Sequence, residues 1–120
     1  MNPRIKLWLE QDGRIVMSDY RLRLLVLIAE TGSLAEAAQQ MSLSYRRAWG
    51  KVKELERNLQ LPLVQSAAGG AGGGHTEITP EGRALLRRYA EFQRRAVAAV
   101  QTAYDDTFGA AVPASPERPA

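Results

Sequence analysis

Ser33-Leu34-Ala35-Glu36-Ala37-Ala38-Gln39-Gln40-Met41-Ser42-Leu43-Ser44-Tyr45-Arg46-Arg47-Ala48-Trp49-Gly50-Lys51-Val52-Lys53-Glu54-Leu55-Glu56-Arg57-Asn58-Leu59 holds two helix starts and one break. Ser33 with Glu36 three residues on matches the capping box, in which each side chain satisfies a free backbone amide. Leu34, Ala37, Ala38 and Met41 form an inner stripe at helical spacing, and the two alanines let another helix cross closely. Ser42-Leu43 interrupts the pattern, and Ser44 can cap a longer helix running to about Leu59. Its inward residues are Ala48, Val52, Leu55 and Leu59, and its other faces are basic and polar. A short capped helix, a tight turn and a basic capped helix make a helix-turn-helix.

On the N-terminal side, residues 19–31 read as a helix. Ser18 or Asp19 can cap it, and Gly32 stands where a left-handed C-terminal residue belongs. Leu22, Leu25, Val26 and Ala29 give its stripe, while Leu24, Leu27 and Ile28 add a second apolar face. That second face needs a cover, either a hairpin or another subunit. Residues 4–17 read as such a hairpin: Ile5, Leu7 and Leu9 alternate with Lys6, Trp8 and Glu10, and Asp12-Gly13 is the dipeptide a type I′ turn prefers.

On the C-terminal side, residues 62–66 read as a short strand, 67–74 as a flexible glycine-rich tip and 75–79 as the return strand. Thr79-Pro80-Glu81 opens a last helix with a capping hydroxyl, a proline in the first turn and an acid at the positive helix end. It can run over 80–106, about 40 Å at 1.5 Å per residue. Leu85, Tyr89, Phe92, Ala96, Val100 and Tyr104 line one face, a stripe too long for one small core to cover, so two chains are expected to share it. The expected fold is mainly α with small β-hairpins: a winged helix-turn-helix with a long C-terminal dimerisation helix. It occupies residues 1–108, followed by a disordered tail over 109–120.

Composition bounds the function. The net charge of +3 is small, but residues 44–59 carry five cations against two anions, so this one helix holds as much excess charge as the whole chain. The absence of cysteine removes disulfides and thiolate metal sites and is compatible with a reducing cytosol. Nothing at the N-terminus reads as a signal peptide, and no run approaches the roughly 18 apolar residues of a membrane span. A cytoplasmic protein of bacterial type, on the nucleoid and with no membrane partner, is expected. His75 is the single histidine, so no histidine-based triad or metal cluster exists. Gly69 to Thr76 superficially resembles a phosphate-binding loop, but His75 replaces its lysine and a strand follows where a helix must open. No enzyme activity, cofactor or metal is expected.

The expected partner is double-stranded DNA. In a helix-turn-helix the second helix enters the major groove and presents its N-terminal residues to base edges. Here those are Ser44, Tyr45, Arg46, Arg47, Trp49 and Gly50. Arginine can donate two hydrogen bonds to guanine, and Gly50 allows close approach. Lys51 and Lys53 suit phosphates, as does the amide end of the preceding helix at Ser33. Trp49 either packs on the helix flank or touches DNA. Gly72, Gly73, Gly74 and His75 belong to the wing, against the minor groove or backbone. The alternative is a protein-interaction or dimerisation module that keeps the fold without DNA binding.

These residues also resemble a known family. Thr31-Gly32-Ser33-Leu34-Ala35-Glu36-Ala37-Ala38, then Leu43-Ser44-Tyr45-Arg46-Arg47-Ala48-Trp49, look like the N-terminal domain of ModE-type, molybdate-responsive transcription regulators. Pro62-Leu63-Val64, the glycine run and Ile78-Thr79-Pro80-Glu81-Gly82 extend the likeness over roughly Lys6 to Asp106. The wider kinship is with LysR-type winged helices. The resemblance implies a dimeric DNA-binding domain paired through its last helix. In that family molybdate is held by separate domains after this one, and the dozen or so residues after the helix here are too few to fold. The expectation is that no molybdate is bound by this chain alone.

Overall fold

The computed structural model of the chain describes residues 1–66 and 75–109. It forms two compact units: Leu7–Tyr89, and Met1–Lys6 together with the described residues from Ala90 onward.

In the larger unit, β1 (Trp8–Gln11) and β2 (Arg14–Ser18) pair antiparallel. Asp12 and Gly13 both have positive φ, 55° and 79°, as a type I′ turn requires. The strand starts at Trp8 and not at residue 4. Trp8 pairs with Ser18, the residue at which the chain turns into a helix, so upstream residues have no backbone partner, whatever their alternation.

Helix α1 (Asp19–Thr31) starts on Ser18, whose hydroxyl accepts the Arg21 amide at 3.2 Å. It stops at Gly32, with φ 70° and an amide bonded to Ile28 O at 2.8 Å. A side chain at Gly32 would be strained by that φ, and its Cβ would stand 2.5 Å from His75 Cε1. The buried face of α1 is Leu24, Leu25 and Ile28. The stripe expected from spacing is therefore mis-centred: of Leu22, Leu25, Val26 and Ala29, Leu25 is buried and Ala29 is exposed. Residues 24–28 are all apolar, so the helix's own sequence selects no direction, and the elements packed on it do. One of those is β2, whose Val16 and Met17 are buried.

Helices α2 (Leu34–Gln40) and α3 (Tyr45–Leu59) follow. Ser33 caps α2 by accepting the Glu36 amide at 3.0 Å, but the reciprocal half of the capping box is absent: Ser33 N donates to Thr31 Oγ1 at 3.1 Å. Thr31 is the nearer oxygen, and Glu36 stays exposed. Ser42, at φ 58°, turns the chain, and Ser44 caps α3 by accepting the Arg47 amide at 3.1 Å. Ala48, Val52 and Leu55 face inward as expected. Strands β3 (Val64–Ser66) and β4 (Thr76–Ile78) pair antiparallel, Val64 opposite Ile78. One hydrophobic cluster joins Met17, Ile28, Ala37, Val52, Leu63 and Ile78, drawn from every layer. Each large buried aliphatic there stabilises by about 1.5–3 kcal/mol.

Helix α4 (Pro80–Tyr104) starts on Thr79, whose hydroxyl accepts the Gly82 amide at 2.9 Å. It ends at Tyr104, two residues before the expected limit, and Asp105–Gly109 continues as a wider π-helical turn. Tyr89, expected on a dimer face, is 2% exposed within the single chain and donates its hydroxyl to Leu7 O at 3.1 Å. It belongs to the protomer's own core, as a member of the same buried cluster as Leu24, Leu25, Leu63 and Ile78. In the smaller unit, Tyr104 donates to Met1 O at 2.9 Å and stacks on Phe108 with ring centroids 5.6 Å apart.

Candidate nucleic-acid interface

The first turn of α3 is bare. Ser44, Tyr45, Arg46, Arg47, Trp49 and Gly50 are all exposed, Tyr45 to 57%. Only Ala48 among them turns inward, which anchors the turn and forces its neighbours out. Among the described residues no ion pair engages Arg46 or Arg47. A Cβ built on Gly50 meets nothing within 4 Å, so the helix surface there is open to whatever approaches.

The second turn is different, because its lysines are occupied. Lys51 lies with its ammonium 5.2 Å from the ring centre of Tyr20, an exposed first-turn residue of α1. Lys53 stands 4.5 Å from the ring centre of Trp49 and 3.0 Å from Glu56 Oε1. Trp49 thus packs under Lys53 on the helix flank and keeps 40% of its surface exposed. Glu56 Oε2 accepts the amides of Leu63 at 2.7 Å and Val64 at 3.2 Å. Burial pushes the Glu56 carboxyl up. The Leu63 amide, the Lys53 ammonium and the Val64 amide all bind its charged form, and with the Lys53 charge they hold it below its ordinary value.

Between α3 and the wing lies a cleft of about 220 Å³, lined by Tyr45, Trp49 and Lys53 on one side and by Val64, Gln65, Ser66 and Thr76 on the other. The strand residues of this cleft carried no sign in the sequence; only pairing of β3 with β4 places them there. Glu56 was also missed, although an acid three residues after Lys53 is a sequence-visible ion-pair spacing.

Ser33 is half-buried, with its hydroxyl spent on the α2 cap. His75 is exposed at the foot of the wing, where its ring rests against Gly32, and Thr76 N donates to Gly32 O at 2.9 Å. The wing base is thereby tied to the α1–α2 turn. Gly72, Gly73 and Gly74 lie outside the described residues, as does most of the expected tail. Among the described residues there is no group of His, Asp or Glu that could hold a metal, and no helix long and apolar enough to cross a membrane.

On α4, Leu85 is half-buried against the core. Ala96, Val100 and Tyr104 are half-buried in the smaller unit, and Phe92 is 42% exposed. Val97, absent from the expected stripe, is the most exposed large apolar residue of this helix at 56%. Glu91 accepts hydrogen bonds from Arg94 at 2.5 Å and Arg95 at 2.8 Å, which hold its carboxyl below the ordinary range.

Two capped helices joined by a tight turn, then a strand pair beside the second, then a long helix define a winged helix-turn-helix. Residues 20–83 match the family of bacterial regulatory helix-turn-helix proteins of the lysR type, and the chain belongs to that family. It is similar to the molybdenum-pterin-binding protein MopA of Rhodobacter capsulatus, 40% identical over 78 residues, 65% of this chain and 29% of the relative. It is also similar to the DNA-binding transcriptional dual regulator ModE of Escherichia coli K12, 32% identical over 99 residues, 80% of this chain and 38% of that one. The ModE-type resemblance read from the recognition helix and wing is thus borne out. The chain matches less than two fifths of the length of these relatives. Among solved structures it is similar to the CbnR DBD–DNA complex, with a TM-score of 0.55 and 26% identity over 72% of this chain and 98% of that one. BenM DBD bound to benA site 1 DNA, at 20% identity and TM-score 0.55 over 78% of this chain and 99% of that one, has the same fold.

Proposed function

We propose that this chain is a sequence-specific double-stranded DNA-binding regulator of transcription that acts as a homodimer. Helix α3 enters the major groove, and the wing follows the minor groove or backbone. The carrying observation is the first turn of α3, where Tyr45, Arg46 and Arg47 stand exposed beside an open cleft to the wing. The lysR-type family match and the 26% identity to a domain solved with DNA support the same reading. Arg46 and Arg47 are the candidates for guanine, Tyr45 and Ser44 for base or phosphate, and Gly50 is where the duplex comes nearest. The protein performs no chemistry of its own and works in the cytoplasm.

Pairing falls to α4. Val97 is a large apolar side chain 56% exposed on this helix, and a two-fold arrangement suits half-sites about 34 Å apart. Tyr89 takes no part.

The test is a titration of labelled duplex selected from bound genomic fragments, repeated from low to moderate salt. Each neutralised phosphate releases counterion, so log K should fall linearly with log salt at a slope of about −0.9 per phosphate. A flat response, or no binding to any duplex, would sink the reading and favour an interaction module.

A further inference from the structure

We propose that Lys53 and Glu56 are positioning residues that lock the flank of the recognition helix to the base of the wing, Lys53 acting through Trp49 and Glu56 and not on a phosphate. This rests on the DNA-binding reading above and names which residues set the geometry of that site.

The four-residue step from Trp49 to Lys53 and the three-residue step to Glu56 place all three side chains on one face of α3. The Lys53 ammonium is held between two partners, the Trp49 ring at 4.5 Å and Glu56 Oε1 at 3.0 Å. The other carboxylate oxygen receives two amides from the segment that enters β3, those of Leu63 and Val64. Both oxygens of Glu56 are thus used, one toward the helix and one toward the wing. Thr79 grips the same segment from beyond the wing: its amide donates to Leu63 O at 2.9 Å and its hydroxyl to Pro62 O at 2.6 Å. The path runs without a gap from an exposed indole on the recognition helix to the wing backbone. It crosses the foot of the cleft lined by Tyr45, Trp49, Gln65 and Thr76, and so fixes how far apart helix and wing stand. The Lys53 side chain is 41% exposed, but its ammonium is already directed at Glu56 and the indole, so turning it toward a phosphate would weaken both contacts.

This assignment differs from a phosphate contact in the sign of one effect. Glu56→Gln removes a negative charge from a surface that meets a polyanion, so simple charge counting predicts tighter binding. The positioning role predicts weaker binding, because a glutamine cannot accept both amides with its oxygen and still face the ammonium without turning an NH2 toward a donor.

The experiment measures binding of the selected duplex across salt for the full chain and for Lys53→Met, Lys53→Arg, Glu56→Gln and the Lys53→Met/Glu56→Gln pair. Lys53→Met and Glu56→Gln should each weaken binding roughly tenfold, and the pair no more than either alone, as for residues acting as one unit. Lys53→Arg, which keeps a cation over Trp49 and against Glu56, should restore affinity. The salt slope should stay unchanged in all variants, whereas loss of a phosphate contact would lower it by about 0.9. A second readout needs no DNA. With Trp8→Phe, Trp49 is the remaining tryptophan, and its emission should shift in Lys53→Met and Glu56→Gln but not in Lys53→Arg. A slope reduced by about 0.9 in Lys53→Met, with Glu56→Gln binding as tightly as the parent or tighter, overturns the proposal. So does an indole emission indifferent to both substitutions. Should Glu56→Gln fail to fold, the two lysine variants decide by slope and emission. If the parent chain binds no duplex, the DNA reading falls while the emission readout still judges the Trp49–Lys53–Glu56 path.

Discussion

Helices α3 and α4 are both long, basic and amphipathic, yet they spend their cations in opposite ways. At the start of α3 the arginines stand free of ion pairs among the described residues, and the apolar surface between them is aromatic: Tyr45 and Trp49. In the later part of α4, Arg94 and Arg95 close on a single acid, Glu91, while the aliphatic carbon of Val97 is 56% exposed. An unneutralised cation beside a ring suits a polyanion with stacked or grooved faces. Self-neutralised charge beside bare carbon suits a second protein surface. Composition alone would have called both helices basic; pairing separates them.

The strongest way to break this contrast is to charge the α4 face. Val97→Asp places a carboxylate in the surface assigned to pairing, and two-fold symmetry counts it twice. Losing the burial of one such side chain costs about 1.5–3 kcal/mol, so self-association should weaken by well over tenfold. Sedimentation across micromolar concentrations measures it, and an unchanged association constant would remove α4 from the interface. Next in size are Arg46→Ala and Arg47→Ala. A guanine contact should cost about 1–3 kcal/mol on the selected duplex and relax specificity at one position. Equal losses on selected and random DNA would make both arginines phosphate contacts.

A smaller effect sharpens the comparison through pH. The folded carboxyl of Glu56 lies below its unfolded value. Its contribution to stability is therefore complete above the unfolded pKa, about 4.3, and is lost as pH falls through the lower folded value. The melting temperature of the parent chain should drop more steeply on acidification below about pH 4.3 than that of Glu56→Gln. Parallel curves would mean the carboxylate is not the group that holds β3. The smallest expected effect is at Glu91. Its pairs with Arg94 and Arg95 are solvent-exposed, and such pairs contribute little. Glu91→Gln should leave melting temperature and salt slope unmoved; a clear shift in either would mean that these arginines do more than neutralise one acid.

Some of these features could be read directly from the chain. Ser33, Ser44 and Thr79 cap the helices they were expected to cap, and Asp12-Gly13 makes the turn its dipeptide implies, because each is a hydrogen bond or a φ choice made within four residues. The inward face of α3 was equally plain: Ala48, Val52 and Leu55 are isolated among polar residues. The inward face of α1 was not, since residues 24–28 are apolar throughout and every direction looks inward. Tyr89 shows the same limit, for helical spacing groups it with Phe92 and Ala96 and cannot say where one core ends. Lys53 shows another: its spacing to Glu56 was visible, but the amides of Leu63 and Val64 are what commit the acid and, through it, the lysine.

The sequence by itself determined the order of elements, the helix starts, the hairpin turn and the exposed arginines of the recognition helix, because caps, turns and charge patterns act through neighbours along the chain. The tertiary structure alone decided which side of α1 is buried, that Tyr89 serves the core, that β3 and β4 wall a cleft beside Trp49, and that Lys53 is bound to Glu56. Those outcomes depend on groups that folding brings together from distant parts of the chain, and no local pattern carries the distance between them.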